Sequence, residues 1–156
     1  MNKLVVDSNV ALDLLVFDDA AVQPLKTVLA QGSALWIATA AMRAELERVL
    51  DYPKLAPRVA FHGLDRDAVL ARFDALAQIH PEAPRAPLRC QDPDDQIFIN
   101  LAVAHGATLL SKDRHVLRLA RRLLPWGVVV TQRLQGAVAS GQQRMEMPPT
   151  ARSANL

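Results

Sequence analysis

Four carboxylates in this chain, Asp7, Glu45, Asp95 and Asp113, stand where acids could act together. Asp7 closes the apolar run LVV, and Asp113 follows ATLL through Ser111-Lys112, so each lies just beyond a candidate strand. In open parallel sheets, ligands bind outside the carboxyl ends of the strands, where the order of connection reverses. Glu45 falls among Met42, Leu46 and Val49, the apolar stripe of its helix, and glutamate is rarely buried without a partner. Asp95 shares a helical face with Phe98, Ile99 and Ala102. Gathered at one place, these charges repel each other unless a cation sits among them. Hard oxygen ligands with no histidine or cysteine nearby suit Mg2+ or Mn2+ better than zinc. Such a site serves phosphoryl chemistry: metal polarises the phosphate and activates water, and a carboxylate can act as general base.

Each of these residues also has a plainer explanation. Asp7 and Asp113 could be turn or helix-cap residues, and Asp95 lies three positions after the N-cap candidate Asp92, where the helix dipole favours an acid. Glu45 could pair with an arginine at the helix rim. Asp92 and Asp94 read as cap and first-turn charges, although either could reach a metal through water. A basic stripe, Arg114, Arg118, Arg121 and Arg122, follows Asp113 at helical spacing, with Lys112 and Arg114 flanking the acid. It could track a nucleic-acid backbone, or it could be a solvated helix face. Lys112, Arg114, Arg118 and Arg121 are the candidates for that contact.

The elements that must position these groups alternate in type. Strands are expected at Lys3–Val6, Leu35–Ala38, Ala107–Leu110 and Val128–Val130. Ser8 or Asn9 can cap a helix through Phe17, Ala21–Gln31 reads as a helix closed by Gly32, and Thr39 caps a helix to about Leu50. Pro53–Gly63 is irregular or briefly helical, and Asp65–Ile79 is amphipathic through Ala68, Leu70, Phe73, Leu76 and Ile79. A loop with three prolines, His80–Arg89, precedes the Asp92-Pro93 start of a helix to His105, which Gly106 stops. A helix over Asp113–Leu124 follows. This rhythm predicts an α/β protein, a three-layer α/β/α sandwich around a mainly parallel sheet. One domain over residues 1–138 is expected, with a flexible tail over 139–156.

Composition narrows the class. One cysteine, Cys90, excludes an internal disulfide and a cysteine zinc cage, and fits a reducing cytoplasm. No signal peptide is readable and no run approaches the ~18–20 apolar residues of a membrane span, so no membrane association is expected. An aromatic content of 4% argues against a broad base-stacking surface, and Trp36 and Trp126, beside strands, are expected in the core. The histidines show no ligand spacing.

The segments LVVDSNVALDLL and DPDDQIFINLAVAHGATLLSKDRHVL, in that order, resemble the two halves of the pattern of PIN-domain ribonucleases. The DPDD form is similar to that of toxin components of toxin–antitoxin systems, of the VapC kind. The resemblance spans about residues 3–135. It implies a PIN-like fold and Mg2+- or Mn2+-dependent endonucleolytic cleavage of single-stranded RNA by a cytoplasmic hydrolase. It also implies an association as a homodimer and a cognate antitoxin. It matches Asp7, Glu45, Asp95 and Asp113 to the four acids of the family and Asn9 and Ser111 to polar positions that support the first and last of them. Ser8 stands where threonine is commoner, keeping the hydroxyl. Two other classes fit less well. A phosphoacceptor receiver domain needs an acid at the end of its middle strand, and strand two ends in Ala38-Thr39. A non-catalytic interaction module would be expected to have lost one of the acids. A housekeeping RNA-processing nuclease or a DNA nuclease of the same fold stays open.

Overall fold

In a computed structural model, which describes residues 2–135, five parallel strands form one sheet in the order β3-β2-β1-β4-β5. They are β1 (Asn2–Val6), β2 (Ala34–Ala38), β3 (Ala77–Ile79), β4 (Thr108–Leu110) and β5 (Val130–Thr131). The helices that flank the sheet are α1 (Ser8–Leu12), α2 (Gln23–Ala30), α3 (Ala40–Leu50), α4 (Ala56–Phe61), α5 (Arg66–Leu76), α6 (Gln96–His105), α7 (Arg114–Leu117) and α8 (Ala120–Leu123). The expected α/β architecture with a parallel central sheet is what the chain adopts. The expected tail over 139–156 lies outside the described residues.

Central strands covered on both faces must be apolar throughout. Val5, Ile37, Leu109 and Leu110 are accordingly sealed from solvent. Trp36 joins them and meets Phe73 of α5 edge to face, with ring centroids 5.1 Å apart. Trp126, in contrast, lies on the surface beyond α8, 45% exposed, because the last strand starts at Val130 and not at Val128. The register decides what meets at the sheet's carboxyl edge. Val6 of β1 lies opposite Leu110 of β4, so the residues that follow these strands leave the sheet side by side. Between β1 and β4 the connections diverge, β1 leading toward β2 and β3 and β4 toward β5. That gap is the switch point.

Three elements depart from the periodicity. The amphipathic stretch expected to reach Ile79 ends at Leu76, and Ala77–Ile79 becomes edge strand β3. β1 occupies only one edge of β2, so the backbone groups on its other edge need partners. Ala77 and Ile79 supply the register opposite Trp36 and Ala38, and the His80 amide donates to the Ala38 carbonyl at 2.8 Å. His80 precedes Pro81, which disfavours helical backbone there. The second departure is the helix expected over Asp113–Leu124, which is interrupted at Arg118-Leu119. The Leu119 amide bonds to Val116, a tighter i−3 step that rotates the following turn. The third is the first helix, whose cap is neither Ser8 nor Asn9. Asp7 itself accepts from the Val10 amide at 3.0 Å, and α1 widens into a π turn over Asp13–Phe17.

The proline-rich loop is fastened to α6 by two amide side chains. Gln96 accepts from the Cys90 amide at 2.6 Å and donates to the Leu88 carbonyl at 3.0 Å, while Asn100 accepts from the Ala86 amide at 2.9 Å. This fixes the approach to Asp92, which caps a 3-10 turn over Pro93–Asp95 through the Asp94 amide. The α6 helix ends where expected, on Gly106 in the left-handed region at φ 58°.

Candidate active site

Asp7 and Ser111 leave neighbouring strands at the same level, and their side chains meet. The Ser111 hydroxyl, fully buried, donates to Asp7 Oδ2 at 2.5 Å. The same oxygen, Ser111 Oγ, accepts from the Asp113 amide at 3.1 Å, and Asp113 Oδ1 accepts from the His115 amide at 2.7 Å. Two helix-capping aspartates are thus clasped through one serine. Asp7 is 4% exposed. Burial raises its pKa and Asp113 adds repulsion, against the lowering effect of Ser111 and the Val10 amide.

Asp95 enters from the other side, at the start of α6. Its Oδ2 is buried and has no hydrogen-bond partner. Burial, then the charges of Asp113, Asp92 and Asp7, push its pKa from 3.8 to about 7. Carboxylate oxygens of Asp92, Asp95 and Asp113 all lie within 4.8 Å of one another. An orphaned buried oxygen inside a group of acids is what a hard divalent cation would relieve, so these residues fit such an ion.

A cavity of about 300 Å³ opens over the acids, lined among others by Asp7, Asn9, Glu45, Asp95 and Asp113. The structure therefore brings the four predicted acids to one cavity. Asp92, expected as a cap that could reach a metal through water, also stands with Asp95 and Asp113. Asp94 is turned outward, its carboxylate 3.9 Å from Arg48. Glu45 is 17% exposed and pairs with Arg48 one turn along α3, so the plainer reading of this residue also holds. Asn9 is at the exposed rim and hydrogen-bonds to none of the acids among the described residues.

The basic candidates do not line this cavity. Lys112 extends to Asp13 at 2.5 Å, Arg118 donates to Gln91 at 3.3 Å, and Arg114 and Arg121 are exposed. The cavity's own cations are Lys54 and Arg58, with Tyr52 beside them on the connection from α3 to α4. Periodicity offered no signal for Tyr52 and Lys54, which lie outside any regular element, and Arg58 is on the short helix α4, in a stretch read as irregular or briefly helical. The only pointer was its place after a helix that starts at the sheet's carboxyl edge.

A parallel α/β/α fold with an acidic cavity at its switch point defines the class. A PIN domain family model matches residues 3–115, and the chain belongs to the PIN-domain family, whose members are typically nucleases. No curated protein matches it in sequence. A chain of the solved structure of VapBC2 from Rickettsia felis, bound to a DNA fragment from their promoter, shares the fold. The TM-score is 0.57 at 12% identity, over 83% of this chain and 97% of that one. Among the described residues no helix is long and apolar enough to cross a membrane.

Proposed function

We propose that this protein is a Mg2+- or Mn2+-dependent endoribonuclease that cleaves single-stranded RNA, the toxin of a type II toxin–antitoxin pair. The observation that carries the metal site is the unpartnered Asp95 Oδ2 facing the carboxylates of Asp92 and Asp113. Family membership supports nuclease chemistry, and the fold shared with VapBC2 supports the toxin assignment and a cognate antitoxin as partner. Association as a homodimer belongs to the same reading.

Asp95 and Asp113, with Asp7 behind them and Asp92 from the loop, would hold the cation. Glu45 would join them on leaving Arg48. A divalent ion there supplies the positive charge that offsets repulsion among these acids and charge building on a phosphate. The chain's own groups do the rest. Ser111 and the Val10 amide counter part of the effect of burial on the Asp7 carboxylate, and the His115 amide fixes one oxygen of Asp113. Asp95 Oδ2, which has no hydrogen-bond partner, would be the oxygen that Asp95 offers to the cation. Leu12, Val49, Leu55 and Phe98 form the apolar part of the lining.

Asp7→Asn and Asp113→Asn should each abolish manganese-dependent cleavage of single-stranded RNA while the circular dichroism spectrum stays native. Full activity in either variant, or in wild type after chelation, would overturn the metal mechanism. Cleavage of single-stranded DNA in preference to RNA would overturn the substrate assignment.

A further inference from the structure

We infer that the substrate strand is gripped along the α3–α4 connection, with Lys54 and Arg58 on its phosphates and the Tyr52 ring against a base. This rests on the reading of the protein as a nuclease of single-stranded RNA. The acids of the cavity repel a phosphodiester, so a strand that reaches them needs cations on the same wall. Lys54 and Arg58 are the lysine and arginine of that lining.

Arg114, Arg118 and Arg121 lack a carboxylate partner among the described residues but do not line the cavity, and other basic residues are neutralised. Arg43, Arg48, Arg66, Lys26 and Lys112 are each paired with a carboxylate. Lys54 and Arg58 are exposed, and neither has a carboxylate partner among the described residues. Arg58 is nevertheless held in place, its guanidinium carbon 4.4 Å from the centroid of the Phe17 ring. His62 packs edge-on against Phe17 at 5.4 Å and against Phe61 at 5.7 Å, so the face of α4 carries interleaved cation and rings. An arginine stacked on a ring keeps its donor edge free for phosphate oxygens. Tyr52, 46% exposed at the cavity wall, supplies a flat apolar surface that single-stranded bases can stack on and duplexes cannot reach. Buried Leu55 and Val59 anchor this segment to the core, so the groups are presented on a fixed frame.

The test is fluorescence anisotropy of a labelled oligouridylate, titrated against the protein in chelator so that no cleavage intervenes, across a range of salt. Lys54→Ala with Arg58→Ala should weaken binding about tenfold or more and lower the salt slope by ~1.4, two phosphate contacts on a single strand. The charge-keeping pair Lys54→Arg with Arg58→Lys should retain the wild-type slope. Tyr52→Ala should cost about tenfold in affinity with the slope unchanged, and Tyr52→Phe should recover it. Wild-type affinity and slope in the Lys54/Arg58 alanine pair would overturn the inference and leave the ribonuclease assignment standing, the edge then serving another partner such as a protein. Failure of the wild type to bind or cleave RNA would overturn both.

Discussion

Asp95→Asn should make the metal-free protein more stable while destroying its site. The Asp95 carboxyl is raised from 3.8 to about 7 by burial and by Asp113, Asp92 and Asp7, so its ionisation opposes the fold. Each tenfold change in proton affinity is worth about 1.4 kcal/mol, which makes the full penalty roughly 4 kcal/mol. The cavity opens to solvent, and screening there reduces this to about 2 kcal/mol. The folded pKa lies above the unfolded one, so the folded protein holds the extra proton between about pH 4 and about pH 7. Stability therefore falls as pH rises through that window and levels off above it.

Asparagine has no charge to lose, and its amide can donate to a neighbouring carboxylate. At about pH 8 the variant should gain about 2 kcal/mol, read as a melting temperature higher by about 4–8 °C. At about pH 5 most of that gain should vanish, because the wild-type carboxyl is then largely protonated. Manganese should reverse the order. An ion at a hundredfold excess over its Kd stabilises wild type by about 2.7 kcal/mol, whereas the variant, short of a ligand, should respond weakly. Thermal melts at both pH values, with chelator and with manganese, check all of this. A variant no more stable than wild type at the higher pH, or a gain independent of pH, would refute the electrostatic account of Asp95.

Two other perturbations probe the neighbouring groups. Ser111→Ala removes the donor to Asp7 and the acceptor of the Asp113 amide, and should cost about 1–2 kcal/mol in urea denaturation. It also removes an interaction that lowers the Asp7 pKa, so the pH–rate profile for cleavage should move to higher pH; an equal loss at every pH would mean that Ser111 does not act through Asp7. Arg48→Ala frees Glu45 from its partner on α3, and should lower the manganese concentration for half-maximal cleavage several-fold. A higher requirement would show that Arg48 orients Glu45 and does not compete for it.

How far the chain could be read from its residues follows from what each position depends on. Strand cores such as LVV and TLL announce themselves, and so does the helix stop at Gly106. Strand β3 does not, because Ala77–Ile79 continues a helical spacing and is turned into a strand by the unpaired edge of β2. The break at Arg118-Leu119 is likewise invisible, since Val116, Leu119 and Leu123 are buried at intervals a continuous helix would also allow. The basic candidates that follow Asp113 stand outside the lining of the acidic cavity.

The acids divide on the same principle. Asp7 and Ser111 are the first residues past Val6 and Leu110, which face each other across β1 and β4. Once the strands are parallel and in that register, a buried acid and a buried hydroxyl must meet, and Asp113 follows two residues later under the same serine. Glu45 and Asp92 hang on something else. Glu45 lies on the inward stripe of α3 yet has a choice between the cavity and Arg48, a choice made by side-chain torsions that periodicity does not encode. Asp92 is brought to Asp95 by the local turn it caps, whereas its approach to Asp113 is a tertiary contact with no local pattern. The half of the site that rests on strand register was therefore open to inference from residues alone. The half that rests on loop and helix packing, including the Tyr52–Arg58 wall, had to be seen in three dimensions.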